Sequence, residues 1–351
     1  RNGWSAAYGL QLRDREFSAI GEEAFVPPTE TQQVGAYMFH EKAVGDLHLE
    51  GAARYERTEH ANTTGGISKS FDLVSLSAGG DVHLNESLRV GGTLFRTERA
   101  PTSEELFSDG PHLATGQFER GNAGLGKETA KGIELALRHR EDGHFVTANL
   151  FYTDYTDFIF ETFSGMEEDG LPAYDFVSEN ASFQGFEVQG GADIITWGAY
   201  KISADALFEY VRAKTDTGNL PRIPPLSILG GIEAKSDALS LRAEVDYAAS
   251  QDNISEFESE TGDYVLTNAF ATWAVPSAQG VKVSLGSRQS YPVYEDEGVD
   301  DRTRRRNGFD AKSSTGFPET VPRLTKTRPS VPENMMPLRP VSDTVISTPL
   351  A

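Results

Sequence analysis

The stretch "LRAEVDYAAS" (241–250) alternates without a break: Leu241, Ala243, Val245 and Tyr247 fall on one face, and Arg242, Glu244 and Asp246 on the other. A period of two is the signature of a β-strand with one apolar and one polar side. Working outward, "KISADALFEYV" (201–211) sets Ile202, Ala204, Ala206, Phe208 and Tyr210 against Lys201, Ser203, Asp205 and Glu209. "LHLEGAARYERTE" (47–59) repeats the pattern, with Leu47, Leu49, Gly51, Ala53 and Tyr55 opposing His48, Glu50, Arg54 and Glu56. A soluble β-sandwich strand alternates in the same way with its charged side in water, so a soluble β-sandwich binding module is one reading. Length points elsewhere. Many of these segments run about 10 to 14 residues, against the 5 or 6 usual in globular sheets and the 9 to 11 that a tilted strand needs to cross a bilayer. Tyr and Phe gather near strand ends, as in "NLFYTDYTDFIF" (149–160), where an interfacial aromatic belt would put them. The predicted fold is all-β, an antiparallel transmembrane β-barrel.

About 13 such strands are predicted, near 3–13, 30–41, 45–58, 69–83, 86–97, 127–140, 143–158, 182–196, 198–213, 225–236, 239–250, 262–274 and 279–287. Tight links such as "NES" (85–87) and "EDG" (141–143) alternate with long polar segments at 14–29, 59–68, 98–126, 159–181 and 214–224. Short turns on one rim and long loops on the other are the up-and-down plan of an outer-membrane barrel. The long segments are therefore assigned to the outer, ligand-facing rim.

Composition agrees. Hydrophobic residues are 38% of the 351 and the mean hydropathy is -0.42, values that suit a soluble protein but also a barrel, whose strands are apolar on the lipid side alone. No run of about 20 apolar residues exists to form a membrane helix. The 53 acidic against 32 basic residues give a formal charge of -21, which argues against nucleic acid, whose phosphates need a basic face, and favours cations. Cysteine is absent, so disulfides, thiolate metal sites and cysteine nucleophiles are excluded.

The chain begins at Arg1 already in strand-like sequence and reads as a fragment. Alternation is lost from about Ser287, and eight of the 17 prolines lie between 287 and 351; proline lacks the N–H a strand ladder needs. Two units are predicted, a partial barrel over 1–286 and an irregular tail over 287–351, the latter either a disordered extension or the product of a reading-frame change. On the second reading the basic run Arg304–Arg306 carries no function.

Three separated blocks then carry a resemblance. "RDREFSAIGEEAFVPPT" (13–29), "RAPTSEELFSDGPHLATGQFERGNAGLGKETAKGIELALR" (99–138) and "ENASFQGFEVQGG" (179–191) resemble, in order, the C-terminal part of TonB-dependent outer-membrane receptors, most nearly the branch associated with zinc uptake. The resemblance implies a 22-stranded barrel plugged by an N-terminal globular domain, integral to the bacterial outer membrane and in contact with its lipid. It implies active uptake coupled to TonB through the plug, which, with about 8 or 9 strands, would precede this chain. Zinc or a related divalent metal is then the transported ligand, and no catalytic cofactor is expected. Haem or a metal-siderophore complex is the alternative, because haem receptors of the superfamily carry an Arg-Ala-Pro box and an Asn-Pro-Asn-Leu box with a histidine between them. Here Arg99, Ala100 and Pro101 are followed by His112 and then by Asn122, Ala123, Gly124 and Leu125, so the second box is degenerate.

His112 leads the candidate metal ligands. It stands in "GPH", where Gly110 permits a tight bend and Pro111 fixes its own φ, with Glu104, Glu105, Asp109 and Glu119 nearby; imidazole and carboxylate are the ligands zinc takes, commonly four converging from separate loops. His60, with Glu56 and Glu59, forms a second candidate capture site. The remaining histidines sit at strand ends as rim or lumen residues. The acidic runs "MEEDG" (166–170) and "SEFESETGD" (255–263) read as solvated charge or as a cation-concentrating mouth. No G-x-S-x-G nucleophile motif occurs, and the glycine-rich "GNAGLG" (121–126) lacks a βαβ setting. Catalysis is not expected.

Overall fold

The computed structural model describes residues 3–21, 24–276 and 281–292. It is a sheet of 15 strands with one short helix. In chain order these are β1 (Trp4–Phe17), β2 (Thr29–Val44), β3 (Leu47–Asn62), β4 (Ile67–His83), β5 (Leu88–Arg99), α1 (Ser103–Phe107), β6 (Asp109–His112), β7 (Gln117–Arg120), β8 (Glu128–Glu141), β9 (His144–Glu168), β10 (Leu171–Trp197), β11 (Tyr200–Thr215), β12 (Ser227–Lys235), β13 (Leu239–Ala248), β14 (Tyr264–Ala274) and β15 (Lys282–Pro292). Thirteen of them follow one another in sequence order across an antiparallel wall, the up-and-down plan expected. The exceptions are β6 and β7, a small hairpin whose second strand pairs in parallel with β10 at Ala173–Asp175.

The wall is inverted relative to a water-soluble sheet. On β13, Leu241 and Val245 are 45% and 50% exposed, whereas the side chains of Arg242 and Glu244 on the opposite face are only 24% and 16% exposed. The same holds across the sheet, with Leu94 at 60% and Leu135 at 49%. Register explains the continuity: Leu94 pairs with Ile133, Ile133 with Tyr152, Leu135 with Leu150 and Leu150 with Phe186, so the apolar residues form rows across neighbouring strands. Charges on the other face satisfy one another. Arg242 donates through Nη1 and Nη2 to Asp205 at 2.6 and 2.8 Å and through Nε to Glu244 at 2.6 Å. Arg89 pairs with Asp81, which His48 also approaches. A face that exposes large apolar side chains while pairing its charges inside is built for lipid on the outside.

Above this band the outer face turns polar, through Gln32, Glu59 and Ser70, yet the strands continue. This corrects two loop expectations. The segment 59–68 is strand except for a turn at 63–66, and 159–181 is the upper half of the β9–β10 hairpin, 25 and 27 residues long. Its tip is the turn Asp169–Gly170, both at positive φ (51° and 78°). Inward aromatics hold this hairpin: Tyr155, Phe158 and Phe183 make edge or tilted contacts at 5.0–5.2 Å between ring centroids. Strand propensity of that aromatic, β-branched run outlasted the membrane requirement.

One break in the ladder has side chains in place of backbone. β4 and β5 pair only from Leu76↔Arg96 downward. Higher up, Val74 donates its N–H to Glu98 (2.7 Å) and accepts at its carbonyl from Arg96 Nη1 (3.1 Å), while Lys127 Nζ bonds the Asp72 carbonyl and Glu98 at 3.1 and 2.8 Å. The last strand, β15, runs past residue 286 to Pro292; the predicted tail from 293 onward lies outside the described residues.

If the exposed apolar band faces hydrocarbon, Leu135→Arg should destabilise the protein in phospholipid vesicles by roughly 2–4 kcal/mol, read from the shift of its denaturant unfolding midpoint. A shift within about 0.5 kcal/mol, the usual cost of a surface substitution in water, would remove the lipid assignment.

Candidate functional site

Residues 100–127, expected to form an outer loop, fold as a structured insertion on the upper rim. Thr102 caps α1: its hydroxyl accepts from Glu105 N at 3.2 Å and Glu105 Oε2 accepts from Thr102 N at 2.7 Å, a reciprocal capping box. Leu106 and Phe107 bury themselves with Leu125 and Ile159, against Phe71, Ala123 and Phe176. Arg99, at the end of β5, ties the insertion to the wall by bonding Glu105 at 2.8 Å and Glu128 at 3.0 Å, and Glu128 also accepts from Ile159 N at 3.1 Å. These carboxylates raise the Arg99 guanidinium above its ordinary value against the opposing effect of its burial.

The hairpin β6–β7 carries the leading candidate. His112 Nδ1 lies 2.6 Å from Glu119 Oε1, and Thr115 Oγ1 reaches the same oxygen at 3.4 Å. Because a carboxylate only accepts, Nδ1 is the protonated nitrogen, and the lone pair is left on Nε2. The ring stacks on Phe25 at 4.3 Å between centroids and 15° between planes. Phe25 belongs to the loop between β1 and β2, which is pinned here by Asp109 N donating to the Phe25 carbonyl at 2.7 Å. The first two blocks of the family resemblance, 13–29 and 99–138, therefore pack against each other at His112. Glu119 is buried, and the same face of the hairpin holds Gln117, whose buried Oε1 has no partner.

Sequence reading missed a second acidic group. Glu161, on β9, is half-buried; desolvation first, and the neighbouring Glu119 charge second, push its carboxyl above the ordinary value of 4.5, with Arg222 (3.3 Å) and His112 pulling it back. It lies within 159–181, expected to be a loop, although "DFIFETF" (157–163) is rich in strand formers.

The other expected residues do not join His112. Glu105 is committed to the helix cap and Arg99. Asp109 is exposed and opposes Arg120 in the register, and Arg120 itself bonds Asp175 (2.6 Å) and Glu168 (2.9 Å). Glu104 lies instead near His60, which is buried and bonded through Nδ1 to Thr31 Oγ1 at 2.9 Å. Burial drives the His60 imidazole below its ordinary value, with Glu104 and the Pro101 carbonyl acting the other way. His60 and Glu59, adjacent on β3, point to opposite faces; Glu59 bonds Ser68 and Glu56 bonds Arg54, so that trio does not converge. A single group of three ligand-type side chains within sharing distance of an ion occurs among the described residues, and it lies away from His112, at His139, Glu141 and His144.

The family model "TonB dependent receptor-like, beta-barrel" matches residues 2–287. Among solved structures, the copper transporter OprC superposes with a TM-score of 0.69 at 17% identity, over 82% of this chain and 48% of that one. The FrpB iron transporter from Neisseria meningitidis (F3-3 variant) gives 0.62 at 13% identity, over 82% and 48%. The ferric yersiniabactin uptake receptor FyuA from Yersinia pestis gives 0.56 at 11%, over 83% and 52%. The chain thus spans about half the length of these structures, and at such identities the likeness is one of fold.

Two outcomes are expected. A Cβ on Gly121 would meet the backbone nitrogens of Phe107 and Ser108 at 2.5 and 2.6 Å, so Gly121→Ala should dislodge α1 and accelerate hydrogen exchange across 100–127 while the wall strands stay protected. Because the Glu161 carboxyl is raised in the folded state, its contribution is fully present below its unfolded value and is lost as pH rises through the folded one. Glu161→Gln should therefore gain stability over the native chain as pH climbs from about 4.5 towards neutrality; parallel unfolding midpoints across that range would contradict the assignment.

Proposed function

This chain belongs to the TonB-dependent receptor β-barrel family, and on that premise we propose that it forms part of an outer-membrane receptor for uptake of a divalent metal ion, zinc or a close relative, energised through TonB. Binding and translocation, not catalysis, is its task. The observation that carries the choice of ligand is the His112–Glu119 pair: a carboxylate holding Nδ1–H orients the imidazole and raises its basicity, the arrangement metal-binding histidines commonly have. Glu119 then serves to position His112, whose Nε2 is the ligand atom. Gln117 Oε1 and the half-buried carboxyl of Glu161 are the groups on hand to complete a site, and a cation would favour the charged state of Glu161.

The reading as a receptor for a metal ion is in keeping with the copper transporter OprC and the iron transporter FrpB, whose fold this chain resembles. Further ligands would come from parts of the receptor outside this chain, including the plug, where TonB engages. Haem fits less well. Arg99 of the Arg-Ala-Pro box is bound to Glu105 and Glu128 and is not available to meet a propionate.

His112→Ala in the receptor should weaken zinc binding by at least tenfold, about the loss expected for a supporting contact alone, measured by calorimetry on the detergent-folded protein. Unchanged affinity removes His112 from the site. A Soret shift on haem titration, lost in the same variant, would reassign the ligand to haem.

A further inference from the structure

The opposite rim carries a group of a different kind. β8 and β9 join through the two-residue turn Asp142–Gly143, with Gly143 at φ 81°. The register is Glu141↔His144 and His139↔Val146. Glu141 and His144 are thus direct cross-strand neighbours, and His139 lies one step up the strand on the same face. That is the outer face, immediately below Leu137 and Val146 of the apolar band. The turn is held from the side: Asp193 N donates to the Gly143 carbonyl at 2.6 Å and Lys201 pairs with Asp193 at 2.7 Å.

Glu141 Oε2 is 3.6 Å from His144 Nε2 and 3.9 Å from His139 Nε2, and the two imidazole rings are 5.1 Å apart between centroids. Three ligands at bond lengths of about 2.0–2.2 Å around a tetrahedral ion stand roughly 3.3–3.6 Å from one another, so small side-chain rotations would bring these atoms onto one centre. The backbone needs no movement, because both strands continue into the wall through unbroken pairing from Thr129↔Thr156 to the turn. No cation partner of protein origin accounts for Glu141, whose only charged contacts among the described residues are the two histidines.

We propose that His139, Glu141 and His144 form a binding site for a borderline divalent transition cation of the zinc, cobalt or copper class, outside the barrel at its short-turn rim. Imidazole with one carboxylate suits these ions and suits calcium and magnesium poorly. Three protein ligands leave a fourth position open to water or to a lipid headgroup oxygen at the band's edge. The site is separate from His112, from which it is divided by the full height of the wall, and does not rest on the uptake reading.

The test is titration of the tag-free, detergent-folded protein with Co(II) alone, following the visible d–d absorption of tetrahedral cobalt. The native protein should develop this band, and His144→Ala should remove one bound cobalt per chain, as should His139→Ala, while His112→Ala leaves that component in place. Heat-modifiable gel migration checks that each variant is folded. A native protein that develops no such band, or a band that survives both substitutions at unchanged stoichiometry, overturns the site. Retention in both of these variants together with loss in His112→Ala would overturn it and assign the cobalt to the upper rim.

Discussion

Everything in this fold depends on one exchange of solvent: hydrocarbon outside the wall and polar surroundings within. A β-strand crossing a bilayer must satisfy each backbone N–H and C=O laterally, because the lipid offers no hydrogen bonds. It must also put its apolar side chains outward. The pairing of Arg242 with Asp205 and Glu244, and of Arg89 with Asp81, follows from the same exchange, since charges confined to the inner face gain from meeting one another across neighbouring strands. The Val74 position shows how strict the requirement is. Where β4 and β5 part, the carboxylate of Glu98 and the guanidinium of Arg96 take over the bonds that a strand would have made.

Where the band ends, the rules change and the insertion becomes possible. Above it, water is on both sides, and order has to come from a local core. The insertion supplies one: a five-residue helix too short to stand alone is stabilised by its capping box, by burial of Leu106 and Phe107 and by the Arg99 bridge. Removing Arg99 would leave Glu105 and the buried Glu128 without their cation, which is costlier than never having had the pair. The rigidity of His112 derives from this frame, because its hairpin is clasped between the helix, β10 and the Phe25 loop.

The legible and illegible parts divide along the same line. In 241–250 the lipid imposes period two on the sequence itself, so strand, face and membrane setting can be read from ten residues. The capping box Thr102-x-x-Glu105 is equally local and stood in plain view within 99–125, where the absence of alternation invited a loop assignment. Strand continuation through 159–181 was hidden because period two lapses once lipid no longer demands it: Phe158, Ile159 and Phe160 are consecutive apolar residues, followed by polar Glu161 and Thr162. The contacts that make the site, Phe25 on His112 and Arg99 on Glu128, join residues far apart in the chain and leave no local trace. His112 could be named from its neighbours; its partnership with Glu119 could not be singled out from among four nearby acids.

Strand length fixes where the two histidine sites stand relative to the bilayer. On β9 the outward residues Val146, Ala148, Leu150 and Tyr152 make up the apolar stretch, and Asp154 ends it. His144 is therefore one step below the band, while the remaining strand to Glu168 rises beyond it by about 14 residues, or roughly 45 Å of chain at 3.3 Å per residue before allowance for tilt. Such length exceeds any need of the membrane. It serves instead as a mast: β7 lies along β10 at Ala173–Asp175, and Glu161 faces the hairpin of His112. A wall that only had to seal lipid would stop near Tyr152; the extra residues lie on the long-loop side, where β10 carries the insertion's hairpin.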